Sequence, residues 1–128
     1  MKEEKFLYKD LTYKIIGLAM EVHNELGYGF LEKVYENAMI FQFKNSGIQV
    51  SSQVPVNVFF KNEIVGLFYP DIIVENQVII ELKAVSEIID IHKGQLFNYL
   101  KATKLKVGLI LNFGSPKLEY ERITRIKN

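Results

Sequence analysis

Between Tyr69 and Lys83 the chain reads YPDIIVENQVIIELK, two apolar runs separated by a polar turn, with Asp71, Glu81 and Lys83 set among the apolar residues. Runs rich in isoleucine and valine and bounded by turn residues form strands. A charge inside a strand that packs on a core must find a partner or change its protonation. This segment constrains the fold more than any other, because it demands a hairpin with one face that tolerates charge. Alternation places Glu81 and Lys83 on one side of their strand and Leu82 on the other. The place of Asp71 depends on the loop. A two-residue loop, Glu75-Asn76, pairs Asp71 with Ile80, whereas the three-residue loop Glu75-Asn76-Gln77 sets Val74 against Val78 and Asp71 against Glu81. Asn76 tolerates the left-handed conformation that a bulged loop needs, which favours the second register.

In that register Asp71, Ile73, Ile79, Glu81 and Lys83 share one face, and Ile72, Val74, Val78, Ile80 and Leu82 share the other. The second face is wholly apolar and belongs to a core. The first is apolar near the turn and charged further along. Two carboxylates directly opposed across a strand pair repel unless a proton or cation lies between them. Two arrangements meet that requirement, a buried ion-pair network with Lys83 or a divalent metal. For hard oxygen ligands the metal would be Mg²⁺, Mn²⁺ or Ca²⁺ rather than zinc.

Upstream, Leu11, Ile15, Leu18, Ala19, Val22 and Leu26 recur at helical spacing, predicting a one-faced helix over about 11–26 with Asp10 as N-cap. Gly27 and Gly29 in GYG turn the chain, and a second helix is predicted from Phe30 to about Ser46, stopped by Gly47. It carries Glu32, Tyr35, Glu36, Met39 and Phe43 on one side. The period then becomes two: IQVSSQVPVNVFF, IVGLFYPDIIV and VIIELKAV read as three successive strands of an antiparallel meander. A third helix over about 88–102 places His92, Gln95, Leu96 and Tyr99 on one face. KVGLILNF follows as a buried strand and KLEYERITRI as an edge strand. The predicted order is α-α-β-β-β-α-β-β, an α/β or α+β domain with helices on a mixed sheet.

With 128 residues, 48% hydrophobic, the chain suits one domain over 1–128. Its net charge of +1 gives no whole-chain signal for nucleic acid or membrane. From Ile91 onward, however, eight basic residues stand against two acidic ones, either a solvated face or one turned to phosphate. The absence of cysteine excludes disulfides and thiolate metal sites. The start MKEEKFLYKD has no leader-like apolar run and no stretch is long enough to span a membrane, so a cytoplasmic location is expected.

Pro70-Asp71 and Glu81-Leu82-Lys83 on consecutive strands resemble the signature of the PD-(D/E)xK nuclease superfamily. Gln95-Leu96-Phe97-Asn98-Tyr99 is similar to the QxxxY helix motif of its RecB-like branch. Gly29-Phe30-Leu31-Glu32-Lys33-Val34-Tyr35 reads GxxExxY, the string that names a family of small bacterial and archaeal proteins of this fold. HNELGYGFLEKVYENAM, IHKGQLFNYLKAT and GLILNFG resemble that family too, so the likeness covers nearly the whole chain.

The resemblance implies a restriction-endonuclease-like core and a metal-dependent nuclease using Mg²⁺ or Mn²⁺. Asp71 and Glu81 would be metal ligands, with the Leu82 carbonyl as a third and Glu32 completing the shell. Lys83 would orient or deprotonate the attacking water, or stabilise charge on the phosphate. Gln95 and Tyr99 would bind phosphate or hold the site in place. Tyr35 and His92 are further supporting candidates, although a core tyrosine and a histidine bonded to backbone account for them equally. Glu32 has the alternative reading of a charge favoured at a helix start. His23 has no partner visible in the sequence.

The expected partner is nucleic acid, DNA before RNA, with no membrane. So small a chain would need a homodimer or a partner protein to wrap a duplex. The alternative is a catalytically inactive module of the same fold that binds nucleic acid or protein. A small-molecule hydrolase using the same metal is a third reading, because fold does not fix substrate.

Overall fold

The structure, a computed structural model, describes residues 7–125. The first six residues, part of the stretch read above for a leader, and the last three, which include Ile126 of the predicted edge segment and Lys127 of the basic count, lie outside the described residues.

Helix α1 (Lys9–Leu26) turns Ile15, Leu18, Ala19 and Val22 inward. It starts two residues before the predicted Leu11, so Asp10 is not its N-cap. Tyr8 takes that place in a left-handed conformation, and Asp10 lies in the first turn, where a carboxylate favours the exposed N–H groups. Helix α2 (Glu32–Asn45) starts two residues later than predicted. Gly27 and Gly29 adopt φ of 70° and 117°, and Leu31 is still extended, so the chain cannot turn helical before Glu32. At the other end Gly47, φ 69°, lets the Ile48 N–H reach the Phe43 carbonyl at 2.9 Å, the stop expected there.

The main correction concerns the meander. The two long strands predicted over 48–60 and 64–74 are each broken, at Gln53 to Pro55 and at Tyr69 to Asp71. The result is β1 (Val50–Ser52), β2 (Val56–Phe60), β3 (Glu63–Phe68) and β4 (Ile72–Val74). Each break holds a proline, Pro55 or Pro70, which has no N–H to give to a ladder. Gln53 adds a left-handed φ of 54°. Strands β2 and β3 therefore leave the sheet and pair only with each other, across a two-residue turn at Lys61-Asn62 where both φ are positive.

The remaining elements are β5 (Val78–Lys83), α3 (Asp90–Thr103), β6 (Val107–Asn112) and β7 (Glu119–Thr124). The observed order is α-α-β-β-β-β-β-α-β-β. The five-stranded sheet runs β1-β4-β5-β6-β7, antiparallel except where α3 carries the chain from β5 to a parallel β6. One face packs Ile72, Val74, Val78, Ile80 and Leu82 with β6 residues against α1 and α2. The other packs Ile79 and Ile110 against Ile88, Leu96 and Leu100 at α3. Every residue of β6 is buried, as its unbroken apolar run predicts for a central strand covered on both faces. This is a mixed α+β fold with a mixed sheet flanked by three helices, consistent with a restriction-endonuclease-like core. Among the described residues no helix is long and apolar enough to cross a membrane.

Candidate active site

The β4–β5 loop adopts the three-residue form. Val74 pairs with Val78, Ile73 with Ile79 and Ile72 with Ile80, while Glu75 and Asn76 both take positive φ. Continuing that register sets Asp71, just before β4, against Glu81. The two carboxylates are tied to each other's strands. The Asp71 N–H donates to Glu81 Oε2 at 3.0 Å, and the Leu82 N–H donates to Asp71 Oδ2 at 2.8 Å. Because β4 starts only at Ile72, these side chains take over where backbone pairing has not yet begun.

Burial dominates the electrostatics. It raises the Asp71 carboxyl above its usual range, the Leu82 N–H opposes that shift, and Glu36 and then Glu32 add to it. Glu81 is only 9% exposed. Burial first and Asp71 second push it up to about 8, against the Asp71 N–H and Lys83. Lys83 follows Glu81 on the same side of β5, and its charge favours the ionised form of both acids.

Glu32, the first residue of α2, is exposed, and its charge reaches both Asp71 and Glu81. Glu36, one turn further on, is the residue that the sequence reading left without a role. It is 6% exposed, accepts from Gln53 Nε2 at 3.2 Å and pairs with Lys33 at 3.5 Å. It raises Asp71 more than Glu32 does. Its offset of four from Glu32 was visible in the sequence. Its acceptance of a bond from Gln53 depends on the break before β2 and was not.

Tyr99, on α3, is packed ring to ring on Phe68 at 4.0 Å. Burial, then Glu81, then Asp71 raise its hydroxyl pKa, and a hydrogen bond to the Gln95 side chain opposes them. Gln95 is exposed rather than on an inward stripe and reaches the site through Tyr99. His92 accepts the Ile89 N–H at Nδ1, 3.1 Å, so it caps the start of α3. Tyr35 is fully buried away from solvent. Its hydroxyl donates to the Gly27 carbonyl at 2.7 Å and accepts from the Phe30 N–H at 3.2 Å, fixing the glycine turn from which Glu32 follows. His23 gains a partner in the Ser115 carbonyl, 2.9 Å from its Nε2.

Beyond Lys83 the chain is clamped. The Lys83 carbonyl accepts the Phe113 N–H at 2.8 Å. Buried Asn112 accepts from the N–H of Val85 and of Gly114 at 3.0 Å each, and donates to the Val85 carbonyl and to Glu119 at 2.9 and 3.0 Å. These four bonds satisfy the amide completely.

The basic C-terminal residues are partly structural. Arg125 donates to the carbonyls of Leu105 and Lys104, Arg122 to that of Leu7, and Lys93 pairs with Glu121.

As a donor set, Asp71 and Glu81 offer two opposed hard oxygens and suit a divalent cation of the Mg²⁺ or Mn²⁺ type. Among the described residues no three His, Asp or Glu side chains form a ready-made ligand cluster. The nearby oxygens that could add to that pair are the Leu82 carbonyl and the carboxylates of Glu32 and Glu36.

The crystal structure of SSO0001 resembles the chain with a TM-score of 0.56 at 14% identity, over 75% of this chain and 50% of that one. That is a likeness of fold, and the chain spans half the length of that structure. No curated protein matches. A family model described as the PD-(D/E)XK nuclease superfamily matches residues 9–124, from the start of α1 to the end of β7. By that match the chain, with its opposed acids just before β4 and on β5, belongs to the PD-(D/E)XK nuclease superfamily.

Proposed function

We propose that this chain is a metal-dependent nuclease that hydrolyses phosphodiester bonds in nucleic acid, DNA before RNA, and that it falls in the GxxExxY group of the RecB-like branch. The observation that carries the reading is the opposed pair Asp71 and Glu81, locked through the Asp71 and Leu82 N–H groups, with Lys83 beside it. Bound there, Mg²⁺ or Mn²⁺ supplies Lewis-acid polarisation of the phosphoryl group and neutralises the two carboxylates. Asp71, Glu81 and the Leu82 carbonyl hold the ion, and Glu32 or Glu36 completes its shell. Lys83 orients the attacking water and, in its neutral form, takes its proton, or as a cation meets the negative charge growing on the phosphate. The Gln95–Tyr99 pair steers the phosphate toward the acids. Its placement supports the branch assignment, as Gly29, Glu32 and Tyr35 support the narrower group.

The test is calorimetric titration of Mg²⁺ and Mn²⁺ into wild type and Asp71→Ala, with cleavage of labelled single- and double-stranded DNA and of RNA in the same buffers. Metal binding and cleavage lost together in the variant support the nuclease. A folded wild type that binds no metal even with nucleic acid present sinks it. The second reading, a catalytically inactive module, then takes over. Its own support is that both carboxylates already accept backbone N–H groups.

A further inference from the structure

The β2–β3 hairpin stands outside the five-stranded sheet and is apolar where it meets water. Phe59 and Phe60 are each 62% exposed and Ile64 61%. A free two-stranded hairpin is marginal in water. Here one contact against the body stands out, the stack of Phe68 on Tyr99. Between hairpin and α3 lies a groove of about 620 Å³ whose lining includes Val58, Phe59, Leu67, Tyr99, Lys101 and Lys104 and, among the described residues, no acidic one. Two rings outside that lining, Phe60 and Phe97, also have a lysine near them. The Lys61 ammonium lies 5.4 Å from the Phe60 ring centre and that of Lys101 lies 5.9 Å from the Phe97 ring centre.

We propose that this groove holds a single strand of nucleic acid and delivers it to Asp71 and Glu81. The proposal rests on the nuclease reading and adds the form of its substrate. Exposed rings beside lysines match the two recurring parts of a nucleotide strand, planar bases that stack and phosphates that need cations. In a duplex the base faces are already stacked on one another, so the rings of the groove select unpaired bases. Tyr99 joins the groove to the acids. Its ring is part of the groove wall, and its hydroxyl lies in the field of both carboxylates. A second copy of the chain fits the groove less well. A two-fold interface brings the same patch together from both sides, crowding the lysines of both copies into one contact with no acid among the described lining residues to pair with them.

The test is fluorescence anisotropy with a short labelled oligothymidine in EDTA, where no metal-dependent cleavage can occur, on wild type, Phe59→Ala and the double variant Lys101→Glu/Lys104→Glu. These residues are on the surface, and circular dichroism confirms that the variants fold. Phe59→Ala should weaken binding by roughly tenfold. The lysine variant should weaken it further and reduce the slope of log K against log salt by about 1.4, two phosphate contacts at about 0.7 each. Binding unchanged in both variants overturns the proposal, as does a duplex bound as tightly as the single strand. A wild-type dimer in sedimentation that Phe59→Ala dissociates, with oligonucleotide binding untouched, also overturns it and makes the hairpin a contact between copies. Asp71→Ala separates the two readings. If the groove binds as proposed but neither wild type nor Asp71→Ala cleaves in Mn²⁺, the nuclease reading alone fails. If wild type cleaves and the groove variants bind and cleave as it does, the groove alone fails.

Discussion

Replacing Glu81 with glutamine should stabilise the metal-free protein, and by more as the pH rises. Burial and then the facing Asp71 move the Glu81 carboxyl from 4.5 to about 8. The folded protein thus holds this proton more tightly than the unfolded chain does. Stability must then fall as pH increases, because the unfolded chain gives up the proton first. The effect is absent below about pH 4.5, grows between there and about pH 8, and is complete above. The interval, 8 − 4.5, at about 1.4 kcal/mol per pH unit comes to about 5 kcal/mol in full, and about 3 kcal/mol of that is lost by pH 7. Glu81→Gln keeps an oxygen to accept the Asp71 N–H but cannot ionise. Urea denaturation of both proteins in EDTA, from about pH 5 to about pH 9, reads the difference directly. The variant should gain on wild type steadily across that range. With Mn²⁺ present the gap near pH 8 should narrow to about 2 kcal/mol without closing. A cation bound to the ionised pair at about 100 times its Kd adds about 2.7 kcal/mol to the wild type and little to the variant. A difference in EDTA that stays flat with pH, or in which wild type gains, would refute the view that a buried Glu81 facing a half-buried Asp71 dominates this site.

Tyr35→Phe removes the hydroxyl that holds the Gly27 carbonyl and the Phe30 N–H, and should cost about 1–3 kcal/mol in a denaturation experiment. An unchanged midpoint would show that the glycine turn holds without it. Gly114→Ala places a methyl group 2.3 Å from the Val85 nitrogen and 2.4 Å from its oxygen, so the Asn112 clamp must open. A loss of about 1–3 kcal/mol or more is expected in thermal melts, and an alanine variant as stable as wild type would contradict the close approach. Glu36→Gln should weaken Mn²⁺ binding by about tenfold in calorimetry with the circular dichroism spectrum unchanged. Unaltered affinity would restrict Glu36 to holding Gln53.

What the sequence determined by itself is local. The helices follow from spacing of three and four, the buried β6 from its unbroken apolar run, and the opposition of Asp71 and Glu81 from a period of two combined with one loop length. Each depends on residues near one another along the chain, where backbone geometry leaves few choices. The strand breaks at Pro55 and Pro70 were equally written there. A β-branched run masks them in the pattern, whereas in a folded sheet the single lost N–H decides. Tertiary structure alone decided the rest. That β2 and β3 abandon the sheet, that Phe68 rests on Tyr99, and that Glu36 lies buried and bonded to Gln53 while Glu32 stays exposed all depend on residues far apart in the chain. The same holds for the proton affinity of Glu81. The carboxyl is an ordinary one, and its shift to about 8 comes first from burial and then from a neighbour ten residues earlier in the chain that only the folded sheet brings opposite it.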